Sequence, residues 1–141
     1  MKAAMLLVWG IVLFIFTCAA NSSFWSTGVL PYFHWTPSPD YHHLLQMDLY
    51  YNKAYIIRKI GHFSGFSIFG ILLYRINKSY GKSILMAVGF AIATEIFQLY
   101  FGRDGRLYDM VIDSCGILTG MVLIAWMKSW PRTNGLLSRR S

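Results

Sequence analysis

Four runs of apolar residues alternate with more polar segments along the chain. They cover residues 3–20, 60–74, 83–101 and 110–127. At about 1.5 Å per residue, helices of such lengths cross most or all of a hydrocarbon core about 30 Å thick. The apolar residues are gathered into these runs and are not scattered at amphipathic spacing. The pattern predicts an all-α integral membrane protein with four transmembrane helices, short connections and one longer loop.

The longer loop separates the first run from the second. Its prolines interrupt helix formation, and its aromatic side chains suit a membrane interface; these residues are Pro31, Pro37, Pro39, Trp25, Tyr32, Phe33 and Trp35. Residues 41–57 are expected to form a short interfacial helix, with Leu44, Leu45, Tyr51 and Tyr55 as its apolar contributors. The predicted division is a first helix (1–20), an outer loop (21–58), a three-helix core (59–127) and a basic tail (128–141).

The first run has a second interpretation, as a signal peptide. Lys2 supplies a short basic start, and Cys18, Ala19 and Ala20 resemble a small-residue cleavage site. Both interpretations stay open. Cleavage after Ala20 would leave the rest of the chain with the same orientation, because the new N-terminus would already be outside.

Composition supports the membrane class, since 55% of the residues are hydrophobic and only 13% are charged. The net charge of +7 does not indicate nucleic-acid binding, because the basic residues lie mostly just beyond the apolar runs, where lipid headgroups account for them. We therefore expect membrane lipids, and no nucleic acid, as partners. With an inside N-terminus, the inner side carries Lys2, Arg75, Lys78, Lys82, Lys128, Arg132, Arg139 and Arg140, and the outer side carries Lys53, Arg58, Lys59, Arg103 and Arg106. This asymmetry predicts that both termini are cytoplasmic.

Polar residues interrupt the last three runs near their predicted outer ends. His62, Glu95, Gln98 and Asp113 fall at a similar depth on three different helices. Glu95 and Gln98 share one helix face, as do Asp109 and Asp113. A carboxylate in lipid costs about 2.5 to 3.5 kcal/mol on insertion scales, so these side chains are expected to face partners or water. The cluster is a functional-site hypothesis, although a purely structural network is an alternative.

The cluster admits several roles. Glu95 is either an ion-pair partner of Lys59 or Arg103 or a carboxyl that exchanges protons, and His62 is either a hydrogen-bond donor at a helix start or a proton carrier. His62, Glu95, Asp109 and Asp113 are also plausible metal-ligand types, but no metal-binding motif supports such a site, and the sequence assigns no metal or cofactor.

The loop between the third and fourth runs is rich in glycine and arginine. Arg103 and Arg106, together with Lys59, are candidates to hold a phosphate at the outer headgroup level, with ordinary headgroup contact as the alternative. Gly116 and Gly120 form a small-xxx-small pattern that predicts close helix packing, and Gly61 and Gly65 repeat it.

Two segments of the chain, RKIGHFSGFSIFGILLY (58–74) and TEIFQLYFGRDGRLYDMVIDSCGILTG (94–120), resemble the VanZ-like family, which is named for a teicoplanin-resistance accessory protein. The shared elements are a Lys followed three residues later by a His, a Glu-x-x-Gln, a Gly-Arg loop, two acidic residues and two glycines. They select Lys59, His62, Glu95, Gln98, Arg103, Asp109, Asp113, Gly116 and Gly120. The resemblance implies an integral membrane protein with a role in glycopeptide tolerance.

The leading hypothesis is a bacterial cell-envelope protein whose outward-facing site engages an anionic lipid or a lipid-linked cell-wall intermediate. Lys59 and Arg103 would hold phosphate, with Gln98, Arg106 and Asp109 completing the binding site, and Glu95, His62 and Asp113 would handle protons. Whether bonds are broken is open. The alternative is a non-catalytic small transporter or assembly partner in which the cluster is structural.

Overall fold

The computed structural model describes residues 1–21, 24–46 and 53–130, and these residues form helices and connections without a strand. The helices are α1 (Lys2–Cys18), the single turn α2 (Phe24–Thr27), α3 (Lys53–Asn77), α4 (Tyr80–Tyr100) and α5 (Leu107–Ser129). A 3-10 helix spans Tyr41–Leu45. The basic residues predicted for the tail after Lys128, which are Arg132, Arg139 and Arg140, lie outside the described residues.

Three of the helices, α3, α4 and α5, are long and apolar enough to cross a membrane. They contain 25, 21 and 23 residues. Helix α1 is more apolar than these three but has only 17 residues, which corresponds to about 26 Å. The prediction of an all-helical membrane protein is therefore confirmed, whereas the fourth span stays a prediction.

The helix α3 begins earlier than the sequence pattern predicted. It starts at Lys53, within the segment expected to be loop, and the predicted interfacial helix over residues 41–57 is therefore wrong. Its first part contains the 3-10 helix, its last part is the beginning of α3, and Tyr51 lies outside the described residues. The pattern misplaced the boundary because Arg58 and Lys59 interrupt the apolar run, although neither glycine nor proline is present there to stop a helix.

Glycines let α5 lie directly against α3. A Cβ atom at Gly116 would lie 2.2 Å from the carbonyl oxygen of Phe63, and one at Gly120 would lie 2.7 Å from that of Ser67. Gly65 faces Leu13 of α1 in a similarly tight contact, whereas a Cβ at Gly61 would meet nothing. The two helices thus approach backbone to backbone at the positions where a side chain is missing.

An apolar core fills the middle of the bundle. Phe66 and Ile117 are fully buried between α3 and α5, and Ala87 and Ala91 of α4 pack against them together with Leu13 of α1. The indole of Trp9 also ties α1 to the bundle, donating a hydrogen bond of 3.0 Å to the carbonyl of Gly65.

The polar residues lie beyond this core, at the end of the bundle where α1 and α4 finish and α3 and α5 begin; we call this the loop end. The irregular segment 28–40 lies across it. Its backbone pairs with Ala20 and Tyr100, and its rings pack on α1 and α4, with Phe33 stacked on Phe14 and Trp35 stacked on Tyr100. The loop end is therefore covered by aromatic side chains next to the α4–α5 loop.

Candidate functional site

Three helices each place one ionisable side chain at the same point below the loop end. His62 comes from α3, Glu95 from α4 and Asp113 from α5. The Nδ1 atom of His62 lies 3.1 Å from Oδ1 of Asp113 and 3.8 Å from Oε1 of Glu95. Both carboxyl groups have no exposed surface, and His62 is 7% exposed. We call these three residues the buried triad.

The carboxyl group of Glu95 is held by hydrogen bonds from its own helix and from the α4–α5 loop. Its Oε1 accepts from Nε2 of Gln98 at 3.0 Å, and its Oε2 accepts from the backbone N–H of Arg106 at 2.9 Å. Gly105 makes this approach feasible, because a Cβ there would lie only 2.1 Å from the Glu95 carbonyl oxygen. The loop thus docks on α4 through a position that no other residue could occupy without a shift.

Lys59 forms a second layer above the buried triad. Its ammonium group donates to a carboxylate oxygen of Asp109 and, at 3.3 Å, to the hydroxyl group of Tyr108. The same ammonium lies 4.8 Å from the ring centre of Tyr55 and 4.3 Å from that of Tyr108. The cation is held between carboxylate and ring faces, so α3 and α5 are joined at their N-terminal ends.

The two loop arginines have different partners. Arg103 donates through Nη1 to the carbonyls of Phe16 and Ala19, at 3.2 and 2.9 Å, and so connects the loop to the end of α1. Arg106 reaches the carboxylate of Asp104 at 3.3 Å. Burial lowers the pKa of the Arg103 guanidinium, and the nearby guanidinium of Arg58 lowers this pKa further. Two like charges are therefore held near one another.

A cavity of about 410 Å³ opens above the buried triad. Four permanent cations line it, which are Arg58, Lys59, Arg103 and Arg106, together with the carboxylates of Asp104 and Asp109. His62 and Gln98 lie at its floor, and the rings of Tyr55 and Tyr108 form part of its walls. The cations outnumber the carboxylates by two. The cavity is thus suited to an anion, and its floor is suited to moving a proton or binding a cation.

The structure brings together all eight predicted polar site residues at the loop end, but not all in the predicted pairings. Glu95 forms an ion pair with neither Lys59 nor Arg103. Lys59 forms an ion pair with Asp109, and Arg103 donates hydrogen bonds to main-chain carbonyls. His62 is not at a helix start, because α3 begins at Lys53. Of the four possible metal ligands, the buried triad converges within 4.8 Å, and Asp109 lies with Lys59 instead.

Sequence reasoning missed Tyr55 and Tyr108 as cavity residues and treated Arg58 only as a basic residue of the loop. Tyr55, Arg58 and His62 are spaced by three and four residues, so they share one face of α3. That signal was present but unusable, because residue 55 was assigned to the loop. Tyr108 directly precedes Asp109 at the start of α5, and no spacing in the sequence distinguishes it from an interfacial aromatic residue.

Comparison with known proteins places the chain. A family model described as VanZ/LLP1 matches residues 2–128. The chain belongs to the VanZ/LLP1 family. It is also similar to an uncharacterised membrane protein of Bacillus subtilis (strain 168), YwnJ, with 32% identity over 120 residues, which is 83% of this chain and 85% of that protein. No solved structure matches.

Membership in the VanZ/LLP1 family confirms the resemblance that the loop-end motifs indicated. The match begins in α1 and extends to Lys128, so it includes all of the bundle except the last residue of α5, and it includes both layers of the site. As a VanZ/LLP1 protein with three apolar helices, the chain is a membrane protein.

Proposed function

We propose that this VanZ/LLP1 protein is a cell-envelope protein whose loop-end cavity faces outward and binds the phosphate group of an anionic lipid or a lipid-linked cell-wall intermediate. The observation that carries the proposal is the excess of permanent cations around a cavity of about 410 Å³ at a helix end. Phosphate oxygens are the acceptors that guanidinium groups bind in a bidentate way.

The charged side chains around the cavity do not all neutralise one another, and this favours binding of an anion. Lys59 and Asp109 balance each other, as do Arg106 and Asp104. Arg103 binds neutral carbonyls, and Arg58, which also lines the cavity, forms no ion pair within residues 1–21, 24–46 and 53–130. Two guanidinium groups that lie near one another, neither with an ion pair in the described residues, are the arrangement that a phosphate relieves.

The proposed topology has four spans with both termini inside. Helix α1 would be the fourth span, since it packs on α3 through Leu13 and Trp9 and finishes at the loop end. The charge asymmetry along the sequence supports this orientation. In it, the cavity opens at the outer headgroup level, where lipid-linked cell-wall intermediates are exposed to glycopeptides.

A panel of lipids tests the proposal. Detergent-purified protein would be mixed with a polyprenyl phosphate, phosphatidylglycerol or phosphatidylcholine, and bound lipid would be counted by native mass spectrometry. We expect the polyprenyl phosphate to be retained most strongly, since its phosphate monoester carries the most negative charge, and the zwitterionic lipid to be retained least. Equal retention of all three lipids would contradict the proposal.

The glycopeptide part of the proposal has its own test. Teicoplanin susceptibility would be measured in sensitive cells that express the wild type or Glu95→Gln, with membrane abundance matched by quantitative blotting. Protection by the wild type alone would support action of the buried triad at the cell-wall surface. Absence of protection by the wild type would remove teicoplanin tolerance from the proposal and leave lipid binding to be judged by the lipid panel.

One observation favours the alternative of a non-catalytic transporter or assembly partner. The carboxyl groups of Glu95 and Asp113 already have hydrogen-bond partners inside the bundle, as a structural network requires. If Glu95→Gln and His62→Ala lower membrane abundance, melting temperature and function in parallel, the buried triad is structural. If function disappears while abundance holds, it is part of the functional site.

A further inference from the structure

His62 lies at the floor of the loop-end cavity, and the other two members of the buried triad, Glu95 and Asp113, are enclosed next to it. All three side chains are of types that ligate metals. We propose that His62, Glu95 and Asp113 form a binding site for one divalent first-row transition-metal cation. Each of the three membrane helices contributes one ligand, so no metal-binding motif is visible in the sequence. The site becomes apparent only when the helices are packed.

The distances between the candidate ligand atoms are close to those of a metal site. Metal–ligand bonds of about 2.0 to 2.2 Å place neighbouring ligand atoms about 3.4 Å apart in a tetrahedron. In the structure, Nδ1 of His62 lies 3.1 Å from Asp113 and 3.8 Å from Glu95, and all three ligand atoms lie within 4.8 Å of one another. Changes in these separations of a few tenths of an ångström to about 1.4 Å, within reach of rotamer adjustments, would bring the three atoms around one cation.

The surrounding positive groups do not neutralise the two carboxyl groups of the buried triad, so a bound cation is electrostatically favourable there. Two carboxyl groups with no exposed surface lie together, and the ammonium group of Lys59 in the layer above them is paired with Asp109. Arg103 is directed to the carbonyls of α1. Buried carboxylates are costly unless they are paired or coordinate a metal, and a divalent cation balances two of them.

Outer contacts already orient the ligands. Gln98 and the backbone N–H of Arg106 fix the carboxyl group of Glu95, as second-shell hydrogen bonds do in metal sites. Coordination through Nδ1 places the imidazole proton of His62 on Nε2 and replaces the hydrogen bond between His62 and Asp113. The nitrogen ligand favours a transition metal over Mg²⁺ or Ca²⁺. His62 and Gln98 line the cavity, so the cation enters from there and keeps an open coordination position toward it.

Cobalt provides a direct probe of the site. Full-length protein in detergent would be stripped of metal and titrated with Co²⁺, with visible absorption reporting coordination and plasma mass spectrometry reporting stoichiometry. We expect one cobalt ion per chain, and at least a tenfold weaker affinity in Glu95→Gln and Asp113→Asn. The matched control is Asp104→Asn, which removes an exposed carboxylate of the same cavity and should leave cobalt binding unchanged.

A gain of signal guards against variants that fail to fold. His62→Cys should add a thiolate-to-cobalt charge-transfer band that the wild type lacks, because only a cation at this position contacts the new sulfur. Absence of stoichiometric cobalt in the wild type would overturn the proposal. The proposal would also be overturned if Glu95→Gln bound cobalt as well as the wild type and His62→Cys showed no new charge-transfer band. The inference needs no phosphate ligand, so lipid binding and cobalt binding can each fail without the other.

Discussion

The two ends of the bundle handle polar groups in opposite ways. At the end away from the cavity, the exposed Lys128 donates to the hydroxyl of Tyr74 and lies 4.5 Å from the centre of its ring, and Tyr80 stacks on Tyr74. At the loop end, carboxyl groups are enclosed completely, and a polar cavity opens above them.

The difference separates anchoring from a functional site. A lysine whose stem follows an apolar helix and whose ammonium group meets tyrosines at the membrane boundary is what positions any membrane helix. Enclosed ionisable side chains on three helices exceed that need, because packing alone would be served by apolar side chains. We therefore propose that the enclosed polar groups at the loop end serve a ligand, and each of the following experiments tests the contrast between the two ends.

The largest expected effect is on which side of the membrane each end is labelled. In a background with Cys18→Ser and Cys115→Ser, a membrane-impermeant maleimide on intact cells should label Asp104→Cys at the loop end. It should label Lys78→Cys, between α3 and α4, only after permeabilisation. The reverse pattern would place the cavity inside and exclude outer cell-wall intermediates as its ligands.

The next largest effect is expected when the close contact between α3 and α5 is disturbed, and it is an effect on the stability of the bundle. In Gly116→Ala the new Cβ would lie 2.2 Å from a backbone oxygen of α3, so α3 and α5 must separate. We expect a loss of about 3 kcal/mol in the free energy of unfolding, at the upper end of overpacking costs. Gly89→Ala is the matched control, since its Cβ would meet nothing. Equal melting temperatures for the two variants in detergent would contradict this packing.

Removal of one polar partner at each end compares the ends directly. Asp113→Ala leaves the imidazole of His62 enclosed without its nearest acceptor, which should cost about 2 kcal/mol. Lys128→Ala removes an exposed cation and should cost much less, because exposed charge interactions are weak. Denaturant titration of both variants in the same detergent measures the difference, and a larger loss for Lys128→Ala would reverse the comparison.

The smallest effect is expected for Tyr74→Phe. This variant removes the hydroxyl that accepts from Lys128 but keeps the ring that stacks on Tyr80. We expect almost no change in the free energy of unfolding and unchanged binding of polyprenyl phosphate, because the residue is distant from the cavity. A loss of lipid binding in this variant would show that the two ends are coupled.

The sequence predicted the helices better than it predicted the site's contacts. Length and hydropathy located α4 and α5 to within a few residues, because apolar runs in a membrane protein report directly on burial in lipid. The number of residues between each polar side chain and the predicted end of its helix also selected His62, Glu95 and Asp113 as neighbours in depth. The sequence could not predict which side chains form ion pairs, because the pair of Lys59 and Asp109 depends on helix rotation and on where α3 begins. Tyr55 was missed for the same reason.

The central claim is that the loop end binds phosphate and that Arg58, which lines the cavity without an ion pair in the described residues, serves this binding and not folding. The most direct measurement is the affinity for polyprenyl phosphate together with the melting temperature in Arg58→Gln and in the matched control Arg75→Gln, which alters the other end of α3. We predict that Arg58→Gln weakens affinity about tenfold, corresponding to about 1.4 kcal/mol, and that neither variant changes the melting temperature appreciably. Unchanged affinity in Arg58→Gln, or an equal loss in both variants, would contradict the account.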